Sequence, residues 1–159
     1  MKQLVVIAEE QERKLAEQYF PGIPVKITGV GAINIINSLR DIPSNTEIYN
    51  IGYAGSANFE VGTLVEVTES RLNHPNVNYP EPVQRLQPIA DSPAACKAVC
   101  YSGVDFCLQS DYHDCVFDME LAFICALGFE KVHSLKYVSD NLSLHDYRQV
   151  GAGVEDAKK

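Results

Sequence analysis

The chain has 159 residues, 46% of them apolar and 21% charged, a length that suits one domain with a core large enough to dispense with disulfide or metal staples. Thirteen Lys and Arg against 21 Asp and Glu leave a formal charge of -8, and no basic run is present to track a phosphate backbone, which argues against nucleic-acid polymers and anionic membranes as partners. The first apolar run, residues 4–8, is too short for a signal-peptide core and no stretch approaches a membrane span, so a cytoplasmic protein is expected.

Residues 4–8 form a β-branched run without polar alternation, as expected for a strand covered on both faces. Good helix formers follow over 9–19, with acids in the first turn and Pro21-Gly22 as a stop. A second strand is predicted over 24–28. Gly29-Val30-Gly31 then turns the chain into an apolar helix over 32–39. The third strand, 47–51, runs into the small-residue segment 52–57, and a fourth is expected over 63–68. Pro75, Pro80, Pro82, Pro88 and Pro93 make 70–93 a long loop. Strands over 94–101 and 114–117, an apolar helix over 120–127 ended by Gly128, and a strand over 132–138 complete the pattern; the tail 151–159 is expected to fray. This order predicts an α/β fold of three layers, a central mixed and mostly parallel sheet flanked by helices, forming one domain over 1–159, with ligands at the carboxyl ends of the strands.

Those ends carry unusual residues: Glu9, Glu10 and Glu12 after the first strand, Gly52 and Gly55 after the third, Asp118-Met119-Glu120 and Ser139-Asp140 after two later ones. Acids distant in sequence can therefore converge on one cleft. Gly29-Val30-Gly31 fails the dinucleotide fingerprint, because Asn34 stands where its third glycine belongs, and reads as a tight turn. Cys96, Cys100, Cys107, Cys115 and Cys125 are odd in number and contain no C-x-x-C pair, which suits reduced thiols packed as small hydrophobes. A zinc site built from some of them with His113, and a thiol-dependent enzyme, are the minority readings; no metal and no cofactor are expected.

Five segments in order resemble the nucleoside phosphorylase and nucleosidase superfamily, nearest to its methylthioadenosine/S-adenosylhomocysteine nucleosidase branch. LVVIAEEQE (4–12) is similar to that branch's strand ending in acids, and GVGAINI (29–35) to its glycine turn entering a helix. IYNIGYAGSANFEVGTLVEV (48–67) resembles its segment of Asn, Gly, Ala and Gly before a VGD-type strand. SGVDF (102–106) is similar to its Ser-Gly-Asp-x-Phe, and FDMELAFICA (117–126) with KYVSDN (136–141) to its Met-Glu helix start and terminal Ser-Asp. The middle and the C-terminal helix are shortened relative to that pattern, Tyr53 fills a place usually held by a small residue, and Lys136 replaces an arginine.

The resemblance implies cleavage of a purine N-glycosidic bond, which requires protonation of the departing base and stabilisation of an oxocarbenium-like sugar. It assigns base protonation to Asp140, oriented by Ser139, and the attacking water to Glu12, with Glu9 and Glu10 as competitors. Glu120 would accept ribose hydroxyls, Met119 would lie against the sugar, Phe106 would stack on the base and Gly55 would line the pocket. It also implies a homodimer. Glu9-Glu10-Gln11-Glu12 stands where the phosphorylases carry a phosphate-binding arginine segment, so water is the expected nucleophile. A phosphate-dependent phosphorylase and a non-catalytic nucleoside-binding or assembly module are the alternatives.

Overall fold

In the computed structural model, residues 2–74, 81–143, 145, 147 and 148 are described. The β-branched run near the start becomes strand β1 (Gln3–Ile7), which lies between β2 (Val25–Ile27) and β3 (Glu47–Gly55), parallel to both. Between β1 and β2 the chain makes one 3-10 turn, Glu10–Glu12, and then helix α1 (Arg13–Tyr19). Helix α2 (Ala32–Leu39) leads from β2 to β3. Strands β4 (Leu64–Leu72), β5 (Gln84–Arg85), β6 (Cys96–Ser102) and β7 (Cys115–Asp118) follow, then helix α3 (Leu121–Ala126) and the last strand, β8 (Lys131–Asp140).

The sheet is mixed. β8 runs parallel to β3 and antiparallel to β4, β4 is parallel to β6, β6 is parallel to β7, and the end of β7 returns to β3 through the antiparallel pair Gly55 and Phe117. These five strands therefore close on themselves, with β1 and β2 extending from β3 as an open wing. Closure departs from the expected regular three-layer arrangement: among the described residues, short helices cover a curved sheet. The mixed α/β class is as expected. Leu15, Ala16 and Phe20 seal one face against Val5, Ile7, Ile51 and Leu135. Ile35, Leu39, Leu121 and Ile124 fill the other with Val6, Ile48, Val65 and Val132. Every one of these side chains is at least nine-tenths buried, and each contributes roughly 1.5–3 kcal/mol by leaving water, alanines less.

Three boundaries differ from the sequence reading in ways that bear on the site. β3 continues through Gly52 to Gly55 and β8 reaches Asp140, because the two strands pair along their whole length. β4 extends to Leu72, and β5 pairs with it at Glu69 and Ser70, so the expected long loop carries sheet at its near end. Pro75, Pro80 and the tail 151–159 lie outside the described residues. No helix among the described residues is long and apolar enough to cross a membrane.

Candidate active site

The carboxyl ends of β1, β3, β7 and β8 converge, and a cavity of about 260 Å³ opens there. Its walls include Glu12, Gly55, Phe106, Met119, Glu120, Ser139 and Asp140, so the structure brings these residues, distant in sequence, to one place. The volume is just under the usual span of small-molecule sites, about 300–1,000 Å³, which limits the occupant to a small ligand.

Glu12 leaves the 3-10 turn and points inward, 4% exposed. Its Oε1 accepts the Ala8 and Glu9 N–H groups at 2.9 and 3.0 Å, and its Oε2 accepts the Tyr53 N–H at 2.8 Å. Burial raises its pKa above the usual carboxylate value; the Tyr53 N–H, the Lys136 charge and the other two N–H groups oppose that without overcoming it. A carboxylate has about four acceptor positions, so three fixed donors leave one for a water or a substrate hydroxyl. Glu10, the competitor named from sequence, is instead tied to Arg13 at the surface by a 2.7 Å ion pair. Glu9 remains on the cavity wall.

Space for the Glu12 carboxylate comes from Gly52. A Cβ built on Gly52 collides with Glu12 Oε2, and three backbone donors prevent the carboxylate from moving aside. Gly52→Ala is expected to cost about 1–3 kcal/mol through overpacking and to displace Glu12, read by urea unfolding and by loss of ligand binding. A variant with the parent's stability and affinity contradicts this placement.

Asp140 is 1% exposed at the end of β8. Its Oδ2 accepts the Ser139 hydroxyl at 2.8 Å, and its Oδ1 accepts the Leu142 N–H at 2.8 Å and the Ser143 N–H at 3.3 Å. The register of β3 against β8 shifts between Ala54 and Gly55, so that Gly55 pairs with Asp140. Such a bulge re-aims a side chain at the end of a strand. A Cβ at Gly55 would stand 2.8 Å from Asp140 Oδ1, which explains the glycine by close approach.

The third acid is fixed from below. Lys136 Nζ lies 2.8 Å from Asp118 Oδ2, both side chains buried. Asp118 also accepts the Ser102 hydroxyl and, at 2.9 Å, the Leu121 N–H, while Ser102 Oγ accepts the Ala122 N–H at 2.9 Å. One ion pair thus joins β8, β7, β6 and the start of α3. Burial acting alone would raise the Asp118 pKa; the Lys136 charge and these hydrogen bonds reverse the shift and hold it below the usual range. Two residues further on, Glu120 Oε2 accepts the Gly31 N–H at 3.0 Å, a donor presented by the left-handed turn at Gly29 and Gly31. That turn, read from sequence as a tight bend, anchors a carboxylate.

Burial, followed by the charge of Asp118, pushes the Glu120 pKa up to about 8, against the pull of Lys136. Between pH about 4.5 and 8 the unfolded chain releases a proton that the folded chain keeps, so this group's contribution to stability falls as pH rises across that window. Glu120→Gln is expected to melt with the parent near pH 4 and above it at pH 8. An equal offset at both pH values in thermal melts contradicts the assignment.

No family model matches the sequence, and no curated protein matches it. Solved structures do match. The methylthioadenosine nucleosidase of Chlamydia trachomatis superposes with a TM-score of 0.74 at 18% identity, over 99% of this chain and 92% of that one. The 5'-methylthioadenosine/S-adenosylhomocysteine nucleosidase of Neisseria meningitidis, in complex with methylthio-immucillin-A, gives 0.70 at 17% identity over 98% and 95%. The Streptococcus pneumoniae enzyme with a transition-state inhibitor gives 0.71 at 16% identity over 99% and 96%. The fold is that of the methylthioadenosine/S-adenosylhomocysteine nucleosidases.

On this nucleosidase fold the chain places several residues that sequence reasoning did not assign to the site. Tyr53, Asp118 and Tyr147 line the cavity. Tyr53 carries the substitution noted from sequence: its backbone N–H serves Glu12, and its ring meets Tyr137 and Tyr147 edge-on at 5.8 and 6.2 Å. Lys136 was legible as an exception in its motif, but its partner Asp118 was not. The cysteines form no disulfide; Cys100, Cys115 and Cys125 are buried, and burial pushes the Cys115 and Cys125 thiols up to about 11 and 12, away from reactivity. Among the described residues no group of His, Cys, Asp and Glu is placed to hold a metal ion, so the His113 reading finds no site there.

Proposed function

We propose that the protein hydrolyses the N-glycosidic bond of a purine nucleoside of the adenosine class. The observation that carries this reading is the convergence of Glu12, Glu120 and Asp140 on one small cavity at the strand ends. Asp140, held by Ser139, carries the proton to purine N7 as the base departs. Glu120 accepts the ribose hydroxyls, Met119 lies beneath the sugar, and Phe106 covers the base. Positive charge developing on the sugar sits among carboxylates, where it is stabilised. Glu12 uses its remaining acceptor position to orient the attacking water and take its proton, and burial makes its carboxylate a stronger base than an exposed one.

The cavity also favours water over phosphate as nucleophile. Among the described residues lining it there is no Arg or Lys, and Lys136 is committed to Asp118. A phosphate dianion would meet carboxylates there, with no cationic donor among those described residues. The test is a base-release assay on methylthioadenosine, adenosylhomocysteine, adenosine and inosine, with and without phosphate. Release of free base independent of phosphate is expected. Turnover only with phosphate would establish a phosphorylase, and nucleoside-induced thermal stabilisation without release would establish a binding module.

A homodimer completes the proposal. Ile33 and Ile36, one turn apart on α2, are 71% and 40% exposed, and Val30, 39% exposed, both precedes that helix and lines the cavity. An apolar face continuous with the cavity mouth suits a second copy. Ile33→Glu is expected to convert a dimer to a monomer in light scattering. A parent chain that stays monomeric at about 50 μM, well above the Kd of a dimer of ordinary affinity, contradicts this.

A further inference from the structure

Among the cavity walls without an assigned role is one polar stretch, and one part of the nucleoside is unassigned. The wall is Glu9 with Tyr147 and Tyr53; the part is the substituent on the 5′ carbon. The Tyr147 hydroxyl donates to Glu9 Oε2 at 2.8 Å, and Gln11 Nε2 donates to the same oxygen and to the Tyr147 hydroxyl, the latter at 3.2 Å. Tyr147 meets Phe106 edge-on at 5.6 Å, which places this wall beside the residue assigned to the base. Glu9 belongs to the same turn as Glu12, which places it beside the assigned water.

Chemically this end of the cavity is a carboxylate set between tyrosine rings. Gln11 and Tyr147 hold the carboxylate in place and use part of its acceptor capacity, leaving room for a further donor. Burial and Glu9 keep the Tyr147 phenol protonated far above neutral pH. Glu12 adds a second carboxylate from the neighbouring wall. A short group carrying N–H or O–H is stabilised here, a cation most of all, by the carboxylate and the ring faces. An alkylthio group offers no donor and would cover the carboxylate without pairing it. A phosphate would be repelled.

We infer that Glu9 and Tyr147 are specificity-determining residues that select a purine nucleoside bearing a short hydrogen-bond donor, an amine or hydroxyl, at its 5′ position over methylthio or phosphate groups. This rests on the nucleosidase reading. The test compares adenosine, 5′-amino-5′-deoxyadenosine, methylthioadenosine and adenosine 5′-phosphate on the full chain, by base release and, independently of turnover, by calorimetric binding. The amine is expected to exceed methylthioadenosine in kcat/KM and in affinity by about 10-fold or more, with the phosphate weakest. Glu9→Gln and Tyr147→Phe, both near-isosteric, are expected to cut that ratio by about 10-fold, the loss of one charge-assisted contact; the second variant covers the case in which the first fails to fold. A wild type that favours methylthioadenosine, or ratios untouched by both variants, overturns the inference and leaves the nucleosidase reading standing. Neither binding nor release of any nucleoside overturns both.

Discussion

Asp140→Asn is expected to lower kcat/KM for base release by about 10²–10⁴-fold, the usual contribution of a positioned general acid, while leaving the fold intact. The side-chain oxygen of asparagine still accepts the Leu142 and Ser143 N–H groups that Asp140 Oδ1 accepts now. Its amide faces Ser139, whose hydroxyl rotates from donor to acceptor. The transferable proton is lost. Steady-state kinetics read the effect, and an unchanged urea midpoint shows that it is chemical. Activity within a few-fold of the parent would remove Asp140 from the reaction and return Glu12 or Glu120 as the acid.

The largest stability effect is expected at Lys136. It is 1% exposed and paired at 2.8 Å with a side chain that is itself fully buried. Removing one member leaves an uncompensated charge in the interior, which costs about 3–5 kcal/mol. Lys136→Met is therefore expected to lose about that much in urea unfolding. Asp118→Asn added to it removes the stranded charge, keeps an acceptor for the Leu121 N–H, and is expected to restore a substantial part of the loss. Burial acts to lower the Lys136 pKa, but the Asp118 charge reverses this and raises it, and Asp118 is itself held low. The pair therefore stays ionised across the neutral range, and its contribution fades as pH falls through the depressed Asp118 pKa or rises through the elevated Lys136 pKa. A single variant that loses less than about 1 kcal/mol, the value of a surface pair, would contradict the burial of this charge.

Much of the fold was legible because it is written locally. The unalternated run at 4–8 marks a strand covered on both faces, and the acids and glycines that follow the strands mark the edge where ligands gather. What could not be read depends on partners distant in the chain. Gly52 looks like a loop residue, yet it lies inside β3 because a full-length partner, β8, pairs with it there, and it is glycine because Glu12, forty positions earlier, needs the space. Asp118 looks like a helix cap, which it is, but its second role with Lys136 exists only once β7 and β8 share a core. Tyr147 reads as an unremarkable aromatic until its hydroxyl reaches Glu9, 138 positions away. Sheet closure was invisible for the same reason: it turns on the pair Gly55 and Phe117.

The most direct test is a crystal structure of the full chain with a purine nucleoside analogue whose sugar carries a fixed positive charge. The account predicts the heterocycle within hydrogen-bond reach of Asp140, the sugar hydroxyls on Glu120, and a water on Glu12 facing the anomeric carbon. An analogue bound elsewhere, or seated in the cavity with its base turned away from Asp140, would contradict it.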